Sequence, residues 1–145
     1  MENAKVEKRP LRYGQDITLG DVERLNSFLM ARTERLARAE RGSDERHMAR
    51  AVRSALHHLV VTLQHSLSFA DADSEMQPLT HLQIRVSWNA LWALVSPWRW
   101  HDEYDQERWR SVKHWDEIQE AEFERRLAGE FSKSRRRDAS EGDGG

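Results

Sequence analysis

The chain has 145 residues and a mass of 17.1 kDa, one domain's worth of polypeptide. Charged residues make up 33 % and hydrophobic ones 38 %, and the formal charge of -2 supports neither a polycation nor a polyanion argument. Cysteine is absent, which excludes disulfide scaffolds, thiolate metal sites, cysteine nucleophiles and CxxC redox chemistry.

Residues 1–17 are mixed in charge and read as a mobile arm. A first helix is expected from Thr18–Asp21, where Thr18 and Asp21 have capping-box spacing. Val22, Leu25, Leu29 and Leu36 mark its apolar face, and Gly42 is placed to stop it. Ser43 or Asp44 can cap a second helix reaching about Ala70. Met48, Val52, Leu56, Leu59, Leu63 and Leu67 form its expected buried stripe, widened by Val60. An acidic loop follows from Asp71 to Pro78.

A third helix is expected from Leu79 to Val95, with Thr80 and Gln83 as its capping pair. Ile84, Trp88, Leu91 and Val95 recur at helical spacing, and Leu82, Val86 and Ala93 lie on another side. A helix apolar nearly all round is expected at the centre of the fold. Pro97 ends it, and SPWRWHDEYD is the connection. A fourth helix is expected over 105–130, with Trp109, Val112, Trp115, Ile118 and Phe123 as its apolar contacts. From 131 to 145 the composition reads as a disordered tail. The expected fold is all-α: a four-helix antiparallel bundle over 18–130, with a mobile N-terminal arm and a disordered C-terminal tail.

The N-terminus has no apolar run of the secretory type. The longest stretch without formal charge, Ser54–Ala70, is 17 residues long and carries three histidines. A spanning helix needs about 20 mostly apolar residues. The expectation is a soluble cytoplasmic protein with no membrane partner.

Charge is uneven along the chain. From Asp21 to Arg53 eight arginines face six acids, whereas from Asp102 to Glu130 ten acids face five bases. Arg46, Arg50, Arg53 and His57 fall at i, i+4, i+7 and i+11, a basic stripe able to touch a few phosphates. That stripe supports a nucleic-acid-binding regulator as an alternative reading.

Seven histidines raise the question of a metal. The only helical carboxylate–histidine pairs at i, i+3 are Asp44–His47 and His114–Glu117, and neither flanks a polar inner stripe. His58 and His65 would stand about 10 Å apart along a helix, too far to share one ion. No metal and no cofactor is expected. There is no Gly-rich phosphate loop, no G-x-S-x-G and no H-E-x-x-H, so no catalytic residue is assigned. His101-Asp102 echoes the HD dyad of metal phosphohydrolases, without the upstream His and downstream Asp of that set.

Arg53-x4-His58 and Arg108-x5-His114 give an R-x4-6-H motif on an all-α chain, which resembles HEPN ribonucleases. The resemblance implies a metal-independent ribonuclease whose Arg and His meet across a dimer. It rests on fold class and one spacing.

All six tryptophans lie between Trp88 and Trp115. Trp88, Trp92, Trp109 and Trp115 are expected to pack the third helix on the fourth. Trp98, Trp100 and Tyr104 on the connection are the candidate partner-binding residues, since Trp, Tyr and Arg are the usual hot-spot types. Trp88-Asn89, Pro97-Trp98, His101, Tyr104-Asp105, Arg108-Trp109 and Trp115-Asp116 resemble small α-helical actinobacterial proteins of plasmid, integrative-element or prophage type. The resemblance carries no activity with it. The leading expectation is a non-enzymatic accessory protein that binds another protein, or itself, through the Trp98–Tyr104 connection and the acidic fourth helix.

Overall fold

Residues 9–141 are described by a computed structural model. Residues 1–8 of the expected arm and 142–145 of the expected tail lie outside them. The all-α, four-helix architecture is the expected one. Its helix boundaries and its packing order carry the differences.

Helix α1 spans Leu19–Ala37. Its start is the reciprocal cap expected from the sequence. Thr18 Oγ1 accepts the Asp21 N–H at 3.2 Å, and the Asp21 carboxylate accepts the Thr18 N–H at 2.9 Å. Val22, Leu25, Phe28 and Leu29 are buried along one face. The helix ends well before Gly42, which instead supplies the positive φ of 81° in the following turn.

Helix α2 spans Asp44–Ser68, with Ser43 Oγ accepting the Arg46 N–H. Its inward seam is Arg46, Ala49, Arg53, Leu56, Val60 and Leu63, spaced alternately three and four apart. The expected stripe shares Leu56, Val60 and Leu63 with this seam, but Met48 is 68 % exposed, and Val52 and Leu59 are only half-buried. The cause lies in two arginines that reach α1 and the turn that follows it. Arg53 donates to Thr33 Oγ1 at 3.0 Å and to the Met30 carbonyl at 2.9 Å, and Arg46 donates to the Ala39 carbonyl. Polar residues therefore continue the apolar seam, which a hydrophobicity pattern does not register.

Helix α3 spans Gln77–Val95, with Pro78 in its first turn. Thr80 lies inside the helix and donates to the Met76 carbonyl, so it is not the cap. Ile84, Trp88, Leu91 and Val95 are wholly buried, as their spacing requires. Leu79, Leu82 and Val86 are exposed, so α3 has an open outer side. The central helix is α2, which packs against both α1 and α3.

A short 3-10 turn, Ser96–Trp98, leads into an irregular strap over 99–116, where the sequence pattern had placed the start of a helix. Several of the strap's backbone groups are satisfied from outside it. From α3, Trp88 Nε1 donates to the Arg110 carbonyl at 2.7 Å, and Arg85 donates to that of Lys113 at 3.0 Å. The Asn89 amide exchanges two hydrogen bonds of 2.8 Å with the backbone of Val112. From the N-terminal side, the N–H groups of Leu11, Gly14 and Gln15 reach the carbonyls of Glu107, His114 and Trp115. Leu11, Tyr13 and Ile17 are buried, so residues 9–17 are anchored to the fold and are not a mobile arm.

Arg108 locks these pieces together. It donates to both carboxylate oxygens of Asp21, at 3.0 and 2.7 Å, and to the carbonyls of Arg9 and Asp16. Gly14 permits the same closure at the other end: a Cβ there would lie 2.7 Å from the Trp115 ring and 2.9 Å from Arg85 Cγ. Trp115 stacks on His81, with ring centroids 3.6 Å apart.

Helix α4 then spans Glu117–Glu141. Asp116 Oδ1 accepts the Gln119 N–H, and Gln119 Oε1 accepts the Trp115 N–H. The helix runs past 130, and its side chains are exposed from Ala121 to Ser140.

The Asp21 carboxylate is 1 % exposed and its Arg108 partner 11 %. Burial is the largest influence on the Asp21 carboxyl and pushes its pKa up. The hydrogen bonds from Arg108 and Thr18 together outweigh it and hold the carboxyl below its ordinary value. A depressed folded pKa stabilises the fold above the unfolded value of about 3.9, and that stability is lost as pH falls through the folded value. Arg108→Met is expected to cost about 3 kcal/mol at neutral pH, because it strands a buried charge. The gap to wild type should narrow as pH falls below about 4. Urea unfolding of both proteins at neutral and acid pH checks both the size and the sign.

Candidate interaction surface

The strap lies along α1 and forms one wall of an open groove of about 900 Å³. Phe28, Tyr104 and Trp109 are its aromatic lining, and Glu23, Asp102, Glu103, Asp105 and Glu107 bring carboxylates to it. The aromatic side is set by packing. Phe28 meets Trp109 at 5.1 Å between ring centroids, and the Tyr104 ring stands edge-on to Trp109 at 5.2 Å. The Tyr104 hydroxyl donates to the Trp109 carbonyl at 2.9 Å, and burial pushes its pKa up.

Some of the acids are tied down. Asp105 accepts the N–H groups of Glu107 and Arg108 and lies 3.8 Å from Arg24, and Glu103 lies 3.8 Å from Arg32. Glu23, Asp102 and Glu107 form no ion pair among the described residues. The groove is therefore apolar below and negative at the edge.

The three candidate partner-binding residues fall in three different environments. Trp100 is 83 % exposed, with the Arg99 guanidinium 5.4 Å from its ring centre. It precedes His101, whose ring packs edge-on against Phe28 at 5.3 Å and faces the Arg32 guanidinium. Trp98 is half-buried against the core. Tyr104 is buried, its hydroxyl is engaged inside the strap, and its ring forms part of the groove lining. Of the remaining tryptophans, Trp88 and Trp109 are core residues, and Trp92 and Trp115 are partly buried beside them.

The expected arginine stripe is divided in the same way. Arg53 turns inward to Thr33 and the Met30 carbonyl on α1, Arg46 reaches the Ala39 carbonyl in the turn after it, and Arg50 is exposed. The two R-x4-6-H pairs do not assemble as pairs within the chain. Arg53 is bound to α1 while His58 is exposed on α2, and Arg108 is held by Asp21 while His114 packs against Phe123. Among the described residues, no group of three or more His, Asp or Glu is placed to hold a metal ion. No described helix is long and apolar enough to cross a membrane.

Glu23 and Phe28 were not singled out by sequence reasoning, because only the fold brings α1 beside the strap. The acids of the HDEYDQE segment were visible in the sequence as a charge run. This is an all-α chain of four helices whose most distinctive surface is an acid-edged aromatic groove beside an exposed tryptophan. No family model matches the chain, and comparison with curated proteins and with solved structures gives no match.

The different environments of Trp100 and Tyr104 separate surface from support. Trp100→Ala should change stability by less than about 0.5 kcal/mol. Tyr104→Phe should cost about 1 kcal/mol, since it leaves the Trp109 carbonyl unpaired. Thermal and urea unfolding of the two variants distinguishes them.

Proposed function

We propose that the protein is a non-enzymatic interaction protein that binds a basic segment of a protein partner along the groove between α1 and the strap. The observation that carries this reading is Trp100, 83 % exposed on a stretch held by turn bonds from the Arg99 and His101 N–H groups to the Ser96 and Trp98 carbonyls. A large indole held in water on a rigid loop costs little further entropy when it is covered, which is how hot-spot residues bind. The carboxylates of Glu23, Asp102 and Glu107 add steering and select for positive charge.

The same reading includes the mobile-element accessory setting implied by the resemblance of the Trp88–Asp116 segment, and the cytoplasmic location expected from the sequence. The nucleic-acid and ribonuclease alternatives draw no comparable support, because Arg46, Arg53 and Arg108 are spent on internal acceptors.

Native mass spectrometry of the tagged full chain, purified gently from an actinobacterial host, tests the proposal. A second protein is expected in the dominant peak. Trp100→Ala should weaken its binding by roughly 30-fold, the size of a hot-spot loss. Asp102→Lys with Glu107→Lys should remove it, with the helical circular dichroism unchanged. A nucleic acid in that peak, or a protein partner indifferent to Trp100→Ala, would overturn the reading.

A further inference from the structure

Helix α4 is out of proportion to its support. Its 25 residues extend about 37 Å at 1.5 Å per residue. The side-chain contacts to the rest of the chain are made in its first two turns. Glu120 meets Arg12 and the Tyr13 hydroxyl, Gln119 meets the Trp115 N–H, and Phe123 meets His114. Beyond Phe123 the side chains are exposed, yet the helix keeps an apolar stripe: Phe123, Leu127 and Phe131, at i, i+4 and i+8.

The charges around that stripe are divided in two. Residues 117–124 hold four glutamates and no base. Residues 125–137 hold six bases, Arg125, Arg126, Lys133, Arg135, Arg136 and Arg137, against the single Glu130. The helix macrodipole favours acids in the first turn and bases in the last, but its influence fades within a turn of each end. A division that runs through the middle of the helix needs another cause.

We propose that α4 pairs antiparallel with α4 of a second copy of this chain. In that arrangement the stripe meets itself about a two-fold axis near Leu127, so that Phe123 faces the partner's Phe131. The acidic half of each helix lies along the basic half of the other. A parallel pair would set four glutamates against four. The self-complementarity is what a two-fold interface requires of a single sequence. The groove of about 640 Å³ lined by Val86, His114 and Phe123 opens beside the near end of the stripe and leaves room for the partner's Phe131. This surface is separate from the acid-edged groove at Trp100, and the two proposals stand or fall independently.

Sedimentation equilibrium of the purified full chain reads the outcome directly. The expected mass is twice the 17.1 kDa of the chain, with dissociation promoted by salt. Leu127→Glu with Phe131→Glu should return the mass to that of one chain without loss of thermal stability in the α1–α3 core, and Trp100→Ala should leave the dimer intact. Orientation is read by cross-linking, which the cysteine-free chain makes clean. Phe123→Cys and Phe131→Cys variants should form an interchain disulfide when mixed and none when oxidised separately. As an independent check, Arg135→Glu with Arg136→Glu and Arg137→Glu should weaken pairing at least tenfold at low salt. A monomer throughout the micromolar range would overturn the proposal. So would a dimer that survives Leu127→Glu with Phe131→Glu, or a disulfide formed by either cysteine variant alone.

Discussion

The Asp21–Arg108 pair is the constraint on which the rest of the structure depends. Asp21 already serves the start of α1 by accepting the Thr18 N–H. The same carboxylate receives a two-point fork from Arg108, 87 residues further on. Arg108 then spends its remaining donors on the Arg9 and Asp16 carbonyls. One guanidinium thereby joins the N-terminal segment, the first helix and the strap. Buried charges are expensive to desolvate, and the site is viable because every partner is a charge or a hydrogen-bonding acceptor.

Fixing Arg108 fixes the strap, and the strap explains why the fourth helix begins late. Trp109, Val112, Trp115 and Ile118 recur every third residue, which in the sequence resembles one face of a helix. A helix there would have satisfied its backbone groups internally. Instead Trp88, Asn89, Arg85 and three N–H groups of residues 11–15 take those groups one by one. These are contacts between segments far apart in the chain, invisible to any local pattern. Pro10 and the mixed charges around it hid an equally non-local feature: Leu11, Tyr13 and Ile17 are core residues on a segment too short to show periodicity.

What was legible was what is local. The Thr18–Asp21 cap, the Ser43 cap and the wholly buried row Ile84, Trp88, Leu91 and Val95 all follow from spacing along one helix. The all-α class followed from the same regularity. The facing of α2 was legible at Leu56, Val60 and Leu63 but not in its first half, where the seam is completed by Arg46 and Arg53. Hydrophobic periodicity places arginine outside by default, yet its aliphatic stem packs while its head bonds to a carbonyl. At the candidate surface, the exposure of Trp100 and the burial of Tyr104 could not be told apart four residues away on one connection. Both are large aromatics with a polar handle. Only the presence of the Trp109 carbonyl within reach of the Tyr104 hydroxyl decides between them.

The arginines bear on function through the same argument. A chain with nineteen of them invites a search for phosphate, but several donate to acceptors on other segments of the chain. Arg46, Arg53, Arg85 and Arg108 each bond a backbone carbonyl of a different segment, and Arg12 reaches Glu120 on α4. Carbonyls freed where helices end or the strap bends need donors, and a five-donor planar group can serve several at once. Charge recruited in this way is subtracted from the surface field. What remains at the surface is therefore unlike the composition of the chain: an acid-edged groove between α1 and the strap, and a separate helix whose negative and positive halves are drawn apart. Both places keep side-chain charge that the contacts holding the fold together do not use.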